Sequence, residues 1–88
     1  MGNDKSFLLE DKIKIIIADA LCVEKDKIKN DALFDRDLGA DSLDKALMQM
    51  NLEDEFGIVI SDKDIADKNK VSEVIDYIKK RTDASVSR

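Results

Sequence analysis

The sequence has no histidine, no tryptophan, no proline and a single cysteine. Without histidine there is no imidazole to act as an acid–base catalyst near neutral pH, and no His or multi-Cys metal site. One cysteine excludes an internal disulfide framework. The longest apolar run, Ile15-Ile16-Ile17-Ala18, falls far short of a membrane span. The first residues lack the hydrophobic stretch of a signal peptide. The expectation is a soluble cytoplasmic protein with Cys22 reduced, not inserted in a membrane. What is present is an 88-residue chain, 43% hydrophobic. That suffices for one domain with a small core, and folding at this size buries only ~60–65% of the unfolded surface. A deep catalytic cleft is hard to build on such a scaffold. The reading places the domain at 7–82, with disordered ends at 1–6 and 83–88.

Charge is unevenly spread. Residues 1–30 hold six basic and six acidic groups, residues 31–67 three and eleven, and residues 68–88 six and three. The middle of the chain is therefore an acidic block. A phosphate backbone needs a basic surface, so nucleic acid is excluded as a partner. Basic patches on other proteins fit instead, steered by complementary fields.

Helical periodicity dominates. Leu9, Ile13, Ile16, Ile17, Ala20 and Leu21 make one face of a helix over about 8–21. Val71, Val74, Ile75 and Ile78 repeat the pattern over about 71–81, with Lys79, Lys80 and Arg81 in what reads as its last turn, at the negative end of the dipole. A third helix is expected at 42–56 and a short fourth at 62–67, capped by Ser61 or Asp62. The stretch from Cys22 to Asp41 reads as a compact loop pinned by Val23, Ile28, Leu33, Phe34 and Leu38. The fold class is all-α: a small bundle of three to four helices with a long ordered loop between the first two. Cys22, at a helix end, reads as a small buried or half-buried apolar residue. Tyr77 reads as core with its hydroxyl at the surface.

The 42–56 helix carries two apolar stripes. Leu43, Ala46, Leu47 and Met50 fall at i, i+3, i+4, i+7; Met48, Leu52 and Phe56 fall at i, i+4, i+8 on the opposite face. A helix on one side of a small bundle needs only one stripe. The large Met48–Leu52–Phe56 ridge is assigned to the core. The other stripe then faces outward beside Asp44, Glu53 and Asp54, a docking face for a partner bearing Lys and Arg. The competing reading buries both stripes, the second beneath the Cys22–Asp41 loop.

This helix follows Asp37-Leu38-Gly39-Ala40-Asp41-Ser42-Leu43-Asp44. Gly39 can adopt positive φ and turn the chain. Asp41 is a good N-cap, and Asp44 three residues on makes a capping-box-like pair. Ser42 then occupies the first helical position, where free N–H groups and the dipole favour a phosphate ester. It is badly placed as a nucleophilic catalyst: there is no histidine, and Lys45 has no orienting partner.

The octapeptide resembles the prosthetic-group attachment motif of acyl carrier proteins, in particular those of bacterial type II fatty acid synthesis. The likeness extends upstream through Ile13, Ile16, Ile17, Leu21, Val23, Ile28, Phe34 and Leu38, and downstream through Leu52-Glu53-Asp54-Glu55-Phe56, Ile60, Val71, Ile75, Asp76, Tyr77 and Ile78. The resemblance implies a monomeric carrier with no catalytic residues of its own and no metal site. It implies that a phosphopantetheinyl transferase (holo-acyl-carrier-protein synthase), using Mg²⁺ and coenzyme A, attaches 4′-phosphopantetheine covalently to Ser42. The arm then holds growing acyl chains as thioesters for fatty acid synthesis enzymes with basic docking patches. Candidate contacts to those partners are Asp41, Leu43, Asp44, Ala46, Met50, Glu53 and Asp54, with Leu47 added from the outward stripe.

There are departures from the family pattern. Leu47 stands where Glu is frequent, Lys45 where Thr is common, Asn51 for a usual Ala and Lys68 for a usual Ile. Gly57-Ile58-Val59 replaces a more polar stretch, and Ser61 a frequent Pro. A specialised carrier for an unusual acyl, polyketide, aminoacyl or peptidyl cargo is the alternative. A calcium-binding helix–loop–helix is a second alternative, since Asp35, Asp37 and Asp41 crowd one loop and Asp62, Asp64 and Asp67 another. An EF-hand loop needs Gly at position 6 and Glu at position 12. From Asp35 these are Ala40 and Ala46; from Asp62 they are Asp67 and Glu73. The third alternative is a plain helical adaptor in which Ser42 only caps.

Overall fold

The computed structural model describes the backbone of residues 4–86 and the side chains of residues 8–82. Its elements are α1 (Asp4–Leu21), a 3-10 turn at Lys25–Lys27, α2 (Ser42–Phe56), α3 (Asp62–Asp67) and α4 (Val71–Val86). The all-α expectation holds, and α2 and α3 have the bounds that patterning predicts. The outer helices are longer than predicted. α1 begins at Asp4 rather than near residue 8, and α4 runs to Val86 rather than 81. The ends read as disordered thus overlap helix at 4–6 and 83–86; residues 1–3 and 87–88 lie outside the described ones.

The apolar face of α1 is buried through Ile13, Ile17 and Ala20, with Leu9, Ile16 and Leu21 packed partly against the core. α1 packs on α2 and α4, and α2 on α3. Phe34, Met48, Leu52, Ile60, Ile65, Val71, Val74 and Ile78 fill the centre. Burying side chains of this size contributes ~1.5–3 kcal/mol each. Among the described residues no buried side-chain N or O atom lacks a partner.

Each helix end has a local cause. α1 stops where Cys22 takes φ 58°, with its N–H donating to Asp19 O and the Val23 N–H to Ala18 O. This pair of bonds is a Schellman stop, normally built on glycine. It corrects the reading of Cys22, which is exposed, because the left-handed turn swings its side chain out of the helix face. Gly57, at φ 64°, ends α2 in the same conformation. The Ser61 hydroxyl accepts the Asp64 N–H at 3.1 Å and caps α3. Glu73 accepts the N–H groups of Asn69 and Lys70 and holds the entry to α4. Lys79, Lys80 and Arg81 are not in a last turn, because α4 continues beyond them. Lys79 pairs instead with Glu10 at 3.1 Å, and the Arg81 guanidinium donates to Val59 O at 2.9 Å.

The 22–41 loop is ordered, as expected, with Ile28, Ala32, Phe34 and Ala40 buried and Val23, Leu33 and Leu38 partly so. Sequence patterning did not anticipate what anchors it. Leu33 and Lys70 form an isolated antiparallel bridge. Around it, Phe34 N–H donates to Asn69 O (2.8 Å), Val71 N–H to Ala32 O (3.1 Å) and Ser72 N–H to Asn30 O (2.9 Å). The loop is therefore fastened to the start of α4 and leaves the Leu43–Leu47–Met50 stripe of α2 uncovered.

Candidate functional site

Gly39 has φ 64° and makes the turn that brings the loop to α2. Asp41 is the N-cap. Its carboxylate accepts the Asp44 N–H at 3.0 Å, and the Asp44 carboxylate accepts the Asp41 N–H at 3.3 Å. The predicted capping box is thus formed reciprocally, with Asp in the position that Glu usually holds. Asp41, not Ser42, does the capping. Ser42 sits one residue inside the helix and is exposed. The Ser42 hydroxyl is therefore free of the capping duty that the plain-adaptor alternative gave it.

At the head of an α-helix the first N–H groups have no partner within the helix. The capping box takes two of them: the Asp41 carboxylate accepts from Asp44 N and the Asp44 carboxylate from Asp41 N. Those of Ser42 and Leu43 remain available beside the serine hydroxyl. An anion borne by that hydroxyl meets free donors and the positive end of the dipole together. The residues present therefore fit a phosphate ester on Ser42.

The outward stripe is outward. Leu43 is 77% exposed, Met50 61% and Leu47 44%, while Met48 and Leu52 are fully buried. Ala46 and Asp54 are exposed too. Phe56, the last member of the inner ridge, is half-buried. The α2 acids divide into two kinds. Asp54 is free at the surface, whereas Asp44 is held in the capping box and the Glu53 carboxylate accepts the Ile60 N–H at 2.8 Å. Asp41 likewise combines exposure with a structural bond.

Beside Ser42 lies a cleft of about 600 Å³ between α2 and α3, with Ala40, Lys45, Ala46, Gln49, Ile65 and Ala66 among its lining. Two side chains of α2 span it. Gln49 Nε2 donates to Ile60 O at 2.7 Å and to Asp62 Oδ1 at 3.0 Å. Lys45 Nζ donates to Lys68 O at 3.5 Å and stands 5.8 Å from the Phe34 ring centroid. The Lys45 ammonium thus meets two groups of the protein itself. Gln49 was not singled out. Its only sequence signal is its place on the flank between the two stripes.

Residues 11–78 match the family described as the phosphopantetheine attachment site. The chain belongs to that family. The match agrees with the resemblance to acyl carrier proteins and covers α1 from Asp11 onward, the loop, the serine, the cleft and the first half of α4. A phosphopantetheine attachment domain carries 4′-phosphopantetheine covalently and acts as a carrier rather than a catalyst. Its partners are, in general, a phosphopantetheinyl transferase and enzymes that handle acyl groups. Among the described residues no helix is long and apolar enough to cross a membrane.

Proposed function

We propose that Ser42 is the attachment residue and that the protein is an acyl carrier serving fatty acid synthesis in the cytoplasm. The observation that supports this most directly is the division of labour at the head of α2: Asp41 caps, and Ser42 is left exposed among free N–H groups. In the loading reaction the Ser42 hydroxyl oxygen attacks the phosphorus of coenzyme A that bears the pantetheine. A new oxygen–phosphorus bond forms, and the pyrophosphate bond to the adenosine bisphosphate breaks. The serine proton passes to a base of the transferase.

Once attached, the arm supplies a terminal thiol that holds acyl groups as thioesters. The chain's own residues present the arm and catalyse nothing. The capping box fixes the first turn, and the exposed Leu43–Leu47–Met50 stripe, with Ala46, Asp54 and the acids around it, meets basic docking patches on the synthesis enzymes. Such contacts favour fast encounter and short residence, which a shuttle requires. Leu47 in the middle of the stripe makes this face more apolar and favours partners with an apolar centre inside the basic rim.

Incubation with a phosphopantetheinyl transferase, Mg²⁺ and coenzyme A should add one phosphopantetheinyl mass to the intact protein and none to Ser42→Ala. Loading with malonyl and fatty acyl groups against amino acids then decides between a fatty-acid carrier and an aminoacyl or peptidyl one. An unmodified wild-type protein beside a modified control carrier rejects the assignment.

A further inference from the structure

The cleft beside Ser42 is closed by two straps of unequal strength. Gln49 holds the N-terminal end of α3 through two hydrogen bonds, at 2.7 and 3.0 Å. Lys45 reaches the C-terminal end through one contact, to Lys68 O at 3.5 Å, longer than the roughly 2.7–3.2 Å of a normal N–H···O bond and therefore weak. An ammonium has three donors, so Lys45 is under-used. Its other neighbour is the Phe34 ring at 5.8 Å, near the outer range of a cation–π contact. α3 has six residues, too few to hold a helix alone, so its position depends on such ties and on the burial of Ile65.

Lys45 and Ser42 are three apart on one helix and line the same cleft, so they are neighbours on its surface. Long helical side chains slant toward the N-terminus, which directs the Lys45 stem toward whatever Ser42 bears. The other charged groups lining the cleft are already engaged. Asp41 is in the capping box, and Asp62 accepts from Gln49. Lys68, outside the lining, has its ammonium 5.0 Å from the Tyr77 ring centroid. A phosphodiester on Ser42 would be an anionic acceptor competing with one neutral carbonyl. Charge-assisted bonds are shorter and roughly twice as strong as neutral ones.

We propose that Lys45 is a phosphodiester-positioning residue: on modification of Ser42 its ammonium leaves the Lys68 carbonyl for the phosphate, which releases the C-terminal end of α3 and opens the cleft beside the arm. This rests on Ser42 being the attachment residue. It makes loading of the arm and loosening of α3 one event, with the Gln49 strap as the hinge that stays closed.

The test compares the full chain before and after enzymatic modification, for wild type, Lys45→Met and Lys45→Arg. The ³¹P resonance of the modified protein should differ between wild type and Lys45→Met, with Lys45→Arg restoring the wild-type position. Amide exchange at Ile65–Lys68 should become several-fold faster on modification of wild type. In Lys45→Met it should be fast already and change little. Intact mass separates the two layers of the argument. No mass gain overturns the carrier assignment and this inference with it. Mass gain with a ³¹P resonance indifferent to Lys45→Met, or with α3 exchange unchanged or slowed, overturns this inference alone.

Discussion

The Glu53 carboxylate on α2 accepts the backbone N–H of Ile60 at 2.8 Å, closing the turn that leads from α2 toward α3. One residue on, Asp54 has the same charge and is exposed. Two adjacent acids thus have different duties. Glu53→Ala would strand the N–H of a buried residue, at a cost of about 1–3 kcal/mol, read as a lower urea midpoint. Asp54→Ala should change stability by less than about 0.5 kcal/mol. It should instead slow association with a basic partner, an effect that fades as salt is raised.

The capping box separates the two residues at the head of α2 in the same way. Asp41→Ala removes the acceptor for Asp44 N and should cost about 1 kcal/mol. Ser42→Ala removes no cap and should leave the thermal midpoint within about a degree or two of wild type, while abolishing modification by the transferase. Equal destabilisation by the two substitutions would show that the serine has a structural duty after all.

Tyr77 gives a pH signature. Burial, and then the hydrogen bond it donates to Asp64 at 2.8 Å, raise the phenol's pKa above its ordinary value, against a lowering by Arg81. The fold therefore favours the protonated form. Its contribution to stability is complete below the unfolded value of about 10 and is lost as pH climbs through the higher folded value. Denaturant titrations from pH 8 to 11 should show wild type losing stability above pH ~10 more steeply than Tyr77→Phe. Parallel profiles would show that this hydroxyl is not coupled to folding.

Gly39 should resist replacement for backbone reasons alone. At φ 64° an added Cβ would meet nothing within 4 Å, so no clash contributes. Gly39→Ala should cost about 1–2 kcal/mol, the penalty of a left-handed L-residue. Gly39→Asn should cost less, because asparagine tolerates that conformation. Chemical denaturation of the pair measures the difference.

These residues also show which features the sequence made legible. The bounds of α2 and α3 could be read because each starts with a capping side chain, and α2 ends on Gly57. Asp41 and Asp44 announced their box three residues apart. The stripe of Leu43, Leu47 and Met50 was legible as apolar, yet its exposure depended on where the loop went, and that is a non-local fact. A single bridged pair such as Leu33 and Lys70 has no period to detect. The extra turns of α1 and α4 were missed for a similar reason: Asp4–Ser6 and Asp83–Val86 carry no repeating apolar face. Cys22 hid the end of α1, since a left-handed stop is expected at glycine. Lys45 and Lys68 stood out as departures from the family pattern, but their meeting across the cleft required the packing of α3.

The bonds around Leu33 and Lys70 have one more result. Asn69 O holds Phe34 N–H, and Phe34 O in turn holds Ala40 N–H at 2.8 Å, so a relay runs from the threshold of the last helix to the residue two before Ser42. The serine is triangulated from downstream rather than merely delivered by the strand of chain that precedes it. An insertion between residues 34 and 40 should accordingly displace the hydroxyl from the place where a modifying enzyme finds it, while all four helices still form.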